Sequence, residues 1–305
     1  MIGKILLKIK QNRRGWAKQI YYYLKTPLII RKVKKGVIEV EKGSIVSFTT
    51  YGHRLKSADY VIRSIFDGDL LPQGVYLYVS EKDYSKLYQR FFIKHLIGLG
   101  YLHLEIVKDI KSYTKFVYAL QQHKEKNIVI CDDDIFYPNY WFRELINSRN
   151  TWGATDIISC HRGHLVKFIN NEILPYSAWD KDISELQHPE SLIFPTGTGG
   201  VLYPPNSISS LAIEHRLFLE LAPTADDVWF WFCSLHNNSR FVLTDREVYR
   251  ESDYIMFPGS QEISLYHKNV DKDANDIQIQ NVYKYFKSLN SDFEKKLINK
   301  QLFRI

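Results

Sequence analysis

Three consecutive aspartates, Asp132, Asp133 and Asp134, directly follow the apolar run NIVIC at residues 127–131. Neighbouring carboxylates at the end of a buried strand repel each other, so the triplet requires a compensating charge. In a continuing strand, Asp132 and Asp134 would lie on one side, about 6.5 Å apart, with Asp133 on the other. Two carboxylates placed this way can bind Mg2+ or Mn2+, cations that usually keep positions open for substrate phosphates. The triplet therefore predicts a metal site for a diphosphate, and an aspartate-rich helix cap is the structural alternative.

The segment FPTGTGGVLYPP, residues 194–205, is rich in glycine. No Gly-Lys-Ser/Thr follows, and the two prolines that end the segment cannot open a helix, so neither a P-loop nor a dinucleotide fingerprint is present. Gly197, Gly199 and Gly200 instead permit a tight backbone that a ligand can approach closely. A plain turn before a strand is the alternative.

A second acidic pair, Asp226 and Asp227, lies in the segment TADDVWFW. Thr224, three residues before Asp227, predicts that a helix begins here with a capping box. Both aspartates would then lie where the helix dipole favours negative charge. This structural explanation is sufficient by itself, so the segment does not indicate catalysis on its own.

Short apolar strands alternate with helical stretches from Gly43 onward, which is typical of an α/β sheet with helices on its faces. The strands predicted in the first half are residues 44–52, 74–80, 101–107 and 127–131, with helices at 57–66, 84–97 and 112–123 between them. Ligands of such sheets gather beyond the carboxyl ends of the strands. The second half is less regular, with strands predicted at 154–162 and 240–245, a helix from Thr224 and a helical tail from Asn275.

The composition is that of a globular protein with a sizeable core, since 45% of the 305 residues are hydrophobic. Cys131, Cys160 and Cys233 are odd in number, widely spaced and set among apolar neighbours. They indicate reduced core thiols rather than a disulfide framework or a zinc site, which favours a cytoplasmic protein.

The first 35 residues contain eleven Lys and Arg and no acid. The whole chain has a net charge of +7, so the rest of it is net negative. Apolar residues at helical spacing in this segment are Ile2, Ile5, Leu6 and Ile9. Trp16 and the tyrosines 21–23 follow them, and aromatic residues suit a membrane interface. The pattern predicts a basic amphipathic helix on an anionic membrane surface, with about 1 kcal/mol from each basic residue.

Neither a signal peptide nor a membrane-spanning helix fits this basic segment. Lys8 and Lys10 interrupt the apolar stretch that a signal peptide needs, and no window approaches the roughly 18 apolar residues of a spanning helix. A solvated basic arm that packs on its own domain is the alternative to membrane binding. Nucleic-acid binding is not expected, because no recognition motif accompanies the charge.

Four segments together resemble the GT-A-fold glycosyltransferases, namely SFTTYGHR, DDDIFYP, FPTGTGGVLYPP and TADDVWFW, in this order. The chain most resembles the family 2-like bacterial enzymes that build capsule or lipopolysaccharide sugars. The resemblance covers residues 44–285, and it depends on order and spacing rather than on one motif. It implies a GT-A-like (Rossmann-like) mixed sheet flanked by helices, with a nucleotide-binding half at 43–138 and an acceptor-binding half at 139–305, after the basic segment 1–42.

On this resemblance, Asp132 and Asp134 would bind Mn2+ or Mg2+ on the diphosphate of a nucleotide-sugar and touch the ribose, and Asp133 shares that role because the register of three contiguous aspartates is open. Further donor-binding residues that the resemblance implies are Thr49, Thr50, Tyr51, Arg54, Lys115, Gly199 and Gly200. For Arg54 and Lys115, an ordinary solvated helix charge is the alternative.

The resemblance also assigns the acceptor side. Asp227 would be the general base that removes the proton from the acceptor hydroxyl, with Asp226 in support. Trp229 would offer an aromatic face to a sugar, although a core tryptophan fits equally well. His267 would be a further metal ligand, although a lone histidine is more often structural.

The sequence thus predicts an enzyme that transfers a sugar from a nucleoside diphosphate, UDP foremost, to a hydroxyl of a saccharide or a lipid-linked saccharide. The transfer would be metal-dependent and inverting, with retention as the second stereochemistry, and would take place on the cytoplasmic face of a membrane. Two alternatives from other classes are a haloacid-dehalogenase-like phosphatase and a non-catalytic membrane-docked scaffold. The phosphatase is disfavoured because Phe136 stands where such enzymes have Thr or Val.

Overall fold

The computed structural model describes residues 2–170, 172–184, 188–245, 247–260, 274–290 and 293, with side chains from Lys10 onward. The strands are β1 (Glu39–Thr49), β2 (Leu70–Val79), β3 (Leu102–Ile106), β4 (Asn127–Ile130), β5 (Ile135–Phe136), β6 (Ile157–Cys160), β7 (Gly163–Leu165), β8 (Phe168–Ile169), β9 (Glu172–Ile173), β10 (Ile193–Pro195), β11 (Val201–Tyr203), β12 (Arg240–Leu243) and β13 (Ile255–Met256). The helices are α1 (Ile2–Lys35), α2 (Leu55–Phe66), α3 (Glu81–Tyr88), α4 (Phe91–Gly98), α5 (Thr114–Gln122), α6 (Trp141–Trp152), α7 (His215–Leu221), α8 (Asp226–His236) and α9 (Ala274–Leu289).

Seven strands form one mixed sheet in the order β12-β6-β11-β4-β1-β2-β3. Strand β1 is parallel to β2 and β4, and β2 is parallel to β3. Strand β11 is antiparallel to both β4 and β6, while β12 is parallel to β6. The predicted fold class, an α/β mixed sheet flanked by helices, is confirmed.

The direction of β11 determines which loops meet. The carboxyl ends of β1, β4, β6 and β12 lie at one edge of the sheet, because these strands run the same way. Strand β11 runs the opposite way, so its amino-terminal end, with the turn Gly197–Gly199 just before it, lies at that same edge. Ligands of open α/β sheets bind at this edge, and the fold therefore brings the aspartate triplet and the glycine loop together.

Two differences from the predicted elements have a physical cause in the structure. Strand β1 begins at Glu39 rather than 44, because residues 39–41 also pair with β2 before a register shift. The single helix predicted at 84–97 is two helices, since Arg90 adopts an extended conformation and its guanidinium lies 3.4 Å from Asp59. The predicted junction between residues 42 and 43 lies inside β1.

Apolar side chains fill both faces of the sheet. One cluster includes Phe116, Phe230 and Tyr283 from α5, α8 and α9. The other joins α2, α4 and α6 and also takes Tyr22, Ile29 and Val33 of α1. The second half of α1 therefore packs against the core. Within the described part of the chain, no helix is long and apolar enough to cross a membrane.

Gly200 connects the glycine loop to the second cluster. It has φ +91°, and an added Cβ would lie 2.7 Å from the ring of Trp141. We expect Gly200→Ala to lower the free energy of unfolding by about 2–4 kcal/mol, through the left-handed backbone and the overpacked tryptophan. Urea unfolding measures this change.

Gly98→Ala is the matched control for Gly200→Ala, because an added Cβ there meets nothing within 4 Å and the backbone is helical. It is expected to be neutral or to stabilise by up to about 1 kcal/mol. Equal effects of the two substitutions would contradict the role given to Gly200.

Candidate functional site

A cleft of about 1300 Å³ opens at the sheet edge described above. Residues predicted from the sequence that line it are Thr49, Thr50, Tyr51, Arg54, Lys115, Asp132, Asp133, Asp134, Gly199, Asp226 and Asp227. Gly200 and Trp229 do not line it, and His267 lies outside the described residues. Side chains from segments far apart in the sequence therefore share one cavity.

Arg54 organises one side of the aspartate triplet. It ends the short 3-10 turn Gly52–Arg54 after β1, and its Nη1 lies 2.8 Å from Asp133 and 3.3 Å from Asp134. The hydroxyl of Thr50 also donates a hydrogen bond to Asp133, at 2.7 Å. All of these carboxylate and guanidinium groups are largely buried. Arg54 is thus a buried ion-pair partner rather than a solvated helix charge.

Lys115 organises the other side. It lies in the first turn of α5, is 6% exposed, and its Nζ lies 3.2 Å from Asp132 and 2.9 Å from Asp226. Asp227 is 3.9 Å away from the same ammonium group. One buried cation therefore links the aspartate triplet to the acidic pair of α8, which lies about a hundred residues further along the chain.

The prediction that Asp132 and Asp134 lie on one side of a continuing strand, with Asp133 on the other, is wrong. Strand β4 ends at Ile130, so the extended conformation does not continue through the aspartates, and a turn begins at Asp133. Asp133 and Asp134 consequently share Arg54, while Asp132 turns to Lys115. The backbone N–H of Asp132 donates to the hydroxyl of Tyr137, which fixes this departure from the strand.

The turn at Gly197 completes the acidic site. Its backbone N–H donates to Asp227 Oδ2 at 3.1 Å. An added Cβ would lie 2.9 Å from Lys115 Nζ and 3.2 Å from Asp132, so the loop approaches both side chains closely and a larger residue would displace the ammonium group. The side chain of Asp227 is 31% exposed and that of Asp226 only 10%, so Asp227 is the carboxylate available to a ligand.

The start of α8 also differs from the prediction. The helix begins at Asp226, with Ala225 at its N-cap, and no side chain caps it. The hydroxyl of Thr224 bonds instead to Gln278 of α9. The predicted capping box is therefore absent, because a tertiary partner takes the threonine, and the two aspartates lie in the first helical turn.

Three carboxylates of the site have a raised pKa. For Asp133 the cause is burial, which Arg54 opposes. Burial raises the pKa of Asp227 to about 7, opposed by Lys115 and reinforced by Asp226 and Asp132. Burial and then the neighbouring Asp133 raise the pKa of Asp134 to about 7, against the effect of Arg54. Desolvated carboxylates with too few cations resist ionisation, so further positive charge would stabilise this site.

The donor chemistry fits a hard divalent cation. Five carboxylates gather around two cations, Lys115 and Arg54, which leaves an excess of negative charge beside the cleft. Among the described residues, no group of three or more ligating side chains is arranged as a ready metal site. Mg2+ does not need such a cage, since it binds through one or two carboxylates together with substrate phosphates.

Trp229 does not take the role that the resemblance implied. Its side chain is fully buried and packs against Phe218, Tyr285 and Phe286. It cannot offer a face to a sugar, because the apolar side of α8 turns it into the core. Gly200 likewise faces Trp141 rather than the cleft.

The sequence interpretation missed several residues of the cleft. Arg162 follows β6, which runs parallel to β4, so its position after a strand was the signal that could have revealed it. Arg162 pairs with Asp182. Gln11 and Arg14 of α1 also line the cleft, although nothing local in the sequence indicates this.

His164 lies beside Arg162 and is 2% exposed. Burial, Arg162 and Lys181 lower its pKa to about 4, while Asp182 opposes them. The unfolded chain, with an ordinary histidine pKa near 6.5, therefore binds more protons between pH 4 and 6.5. This buried neutral histidine thus costs stability as the pH falls through that window.

We expect His164→Asn, which keeps an acceptor for the N–H of Asp182, to remove this pH dependence. Between pH 7.5 and pH 5, the wild-type free energy of unfolding should fall by about 1–2 kcal/mol more than that of the variant. Urea unfolding at the two pH values measures the difference. Parallel losses in both proteins would show that His164 does not titrate in this way.

No protein-family model matches the sequence, and no curated protein matches it either. Among solved structures, S. aureus TarS 1–349 is similar with a TM-score of 0.45 and 14% identity, over 70% of this chain and 59% of that one. GalNAc-T7, solved with UDP, GalNAc and Mn2+, has a TM-score of 0.44 and 9% identity, over 85% of this chain and 58% of that one. An inositol-1-phosphate CTP transferase from T. maritima has a TM-score of 0.41 and 12% identity, over 80% of this chain and 96% of that one. The fold assignment depends on the sheet order itself and not on these distant similarities.

Proposed function

We propose that the chain is a metal-dependent inverting glycosyltransferase. It transfers a sugar from a nucleoside diphosphate, UDP foremost, to a hydroxyl of a saccharide or lipid-linked saccharide during surface polysaccharide synthesis. The observation that carries the proposal is the buried bridge through Lys115, which joins Asp132 of the triplet to Asp226 and Asp227 of α8. The residues that this proposal assigns to the donor and to the acceptor therefore line one cleft.

The donor side is formed by the ends of β1 and β4. Thr49 at the end of β1 and Tyr51 just after it line the cleft. Tyr51 is 47% exposed, so its ring is accessible to a nucleobase. Thr50 and Arg54 also line the cleft, and both bind Asp133. A divalent cation held by Asp132 and Asp134 would neutralise the charge that develops on the leaving diphosphate.

Asp227 is the base in this proposal. Its carboxylate faces the cleft, and the N–H of Gly197 fixes one of its oxygens. A pKa of about 7 suits a general base, because the group is partly ionised at neutral pH and still binds a proton well. Asp226 stays buried against Lys115 and positions that ammonium group.

Nucleotide-sugars and lipid-linked acceptors meet on the cytoplasmic face of a membrane, and a peripheral position there is part of the proposal. The charge of residues 1–35 supports it, since basic segments bind anionic lipid.

A thermal-shift screen of nucleoside diphosphates and nucleotide-sugars, with and without Mn2+, tests the donor assignment. A ligand of the folded state raises the apparent melting temperature, and more so the tighter it binds. We expect nucleotides that share one base to raise the apparent melting temperature, and we expect this rise to require Mn2+. Hydrolysis of a simple phosphate ester, with no shift of the melting temperature by any nucleotide, would instead favour a phosphatase. If the protein shows neither nucleotide binding nor hydrolysis, the non-catalytic scaffold is favoured.

A further inference from the structure

The outward side of α1 carries a row of exposed apolar side chains. Their exposed fractions are Trp16 54%, Ile20 62%, Tyr23 69%, Leu24 69% and Leu28 55%. Spacings of three and four residues place them along one face of the helix. We call this row the outer face of α1. A contiguous apolar surface of this kind marks a contact with a membrane or another molecule.

The rest of the fold fixes the direction of this face. On the opposite side of α1, an added Cβ at Gly15 would lie 2.7 Å from the backbone of Met256, so helix and strand touch. Arg63 of α2 donates to the hydroxyl of Thr26, and Lys25 pairs with Asp67 at 2.7 Å. The helix cannot turn its outer face inward without breaking these contacts.

Basic residues flank the outer face at both ends. The exposed ones are Lys10 and Arg13 before it and Arg31, Lys32, Lys34 and Lys35 after it. The first 35 residues contain no acid. An apolar row between basic ends suits a helix that lies in the plane of an anionic bilayer. A second copy docked through the same face would bring two strongly basic segments together, which charge repulsion opposes.

We propose that the outer face of α1, with its basic ends, lies on an anionic lipid membrane. The same helix borders the cleft, since Gln11 and Arg14 line it and Arg14 donates to the carbonyl of Ser252 in its wall. Docking through α1 therefore holds the cleft close to the lipid headgroups. Membrane docking also favours a lipid-linked saccharide over a soluble one as the acceptor, and this conclusion about the acceptor rests on the proposed function.

Flotation of the full chain with phosphatidylcholine vesicles, with and without phosphatidylglycerol, tests the surface. We expect wild type to bind the anionic vesicles and to lose binding at high salt, because salt screens the basic ends. The combined substitution Ile20→Ser, Leu24→Ser and Leu28→Ser should weaken binding about a hundred-fold through lost apolar contact. These three side chains are exposed, so the fold should be unaffected.

The matched control changes three exposed isoleucines elsewhere, Ile106→Ser, Ile169→Ser and Ile277→Ser, and should bind vesicles like wild type. Equal vesicle binding by wild type and the outer-face variant, or no binding by wild type, would overturn the proposal. The proposal would also be overturned if wild type is a dimer and the outer-face variant is a monomer, since a second copy would then cover the outer face.

UDP binding with Mn2+ in the absence of vesicles separates this inference from the proposed function. The outer-face variant should bind UDP like wild type. If wild type binds vesicles through this face but binds no nucleotide, the proposed function fails while the docking surface stands.

Discussion

Asp227→Asn is expected to lower kcat by about a hundred- to ten-thousand-fold while the donor KM changes little. The substitution keeps the shape of the side chain and its bond from Gly197, but removes the ability to accept a proton from the acceptor. A lower kcat with an unchanged KM is typical of the loss of an interaction that is made only in the transition state. Steady-state kinetics with saturating donor measure both constants.

The pH profile is a second property of the same residue. A base must be ionised to act, and burial raises the pKa of Asp227 to about 7. The wild-type kcat/KM should therefore fall about tenfold per pH unit below pH 7 and level off above it.

Asp156→Asn, at a half-exposed surface carboxylate paired with Arg240, is the matched control and should leave kcat unchanged. A flat profile from pH 5 to pH 8, or an Asp227→Asn variant as active as this control, would remove Asp227 from the role of base.

Lys115→Met is expected to lower the free energy of unfolding by about 3–5 kcal/mol. The methionine has a similar length but no charge, so Asp226 loses its cation while it is still buried. Asp132 and Asp227, whose side chains are 30% and 31% exposed, lose the same cation. Removing one partner of a buried ion pair is costly because an uncompensated charge stays behind. Urea unfolding near pH 8, where the carboxylates are most ionised, should show the largest loss.

Lys124→Met, at an exposed lysine just after α5, is the control for this substitution. It should change the free energy of unfolding by no more than about 0.5 kcal/mol. The Lys115→Met variant should also shift the kcat/KM profile to higher pH, since the ammonium group holds the pKa of Asp227 down. A loss of stability no larger than that of the control would mean that Lys115 does not hold the cluster together.

The sequence predicted the elements that carry the site better than the site itself. Apolar runs bounded by polar turns located β1 and β4 to within a few residues of their carboxyl ends, where the fold does gather its cleft. The strand pattern could not show that β11 runs antiparallel to β4, because strand direction depends on pairing and not on local composition. That direction is what brings Gly197 to Asp227.

The aspartate triplet illustrates the other limit. Its departure from the strand follows from partners distant in the sequence, Arg54 and Lys115, which lie 79 and 17 residues away from the carboxylates they bind. The side-chain direction of Trp229 could not be predicted either. Helix α8 is apolar on most sides, so only tertiary packing determines where this tryptophan points. Local pattern pointed to residues that line the cleft, and only the fold assigned their contacts.

Calorimetric titration of UDP into the protein, with and without Mn2+, tests the central claim most directly. The wild-type protein should bind UDP at least about tenfold more tightly with Mn2+, and UDP should tighten Mn2+ binding by the same factor. The double substitution Asp132→Asn and Asp134→Asn should abolish this coupling. UDP binding that is equally tight with and without Mn2+, or unaltered in the double variant, would contradict a metal-bound diphosphate at the aspartate triplet.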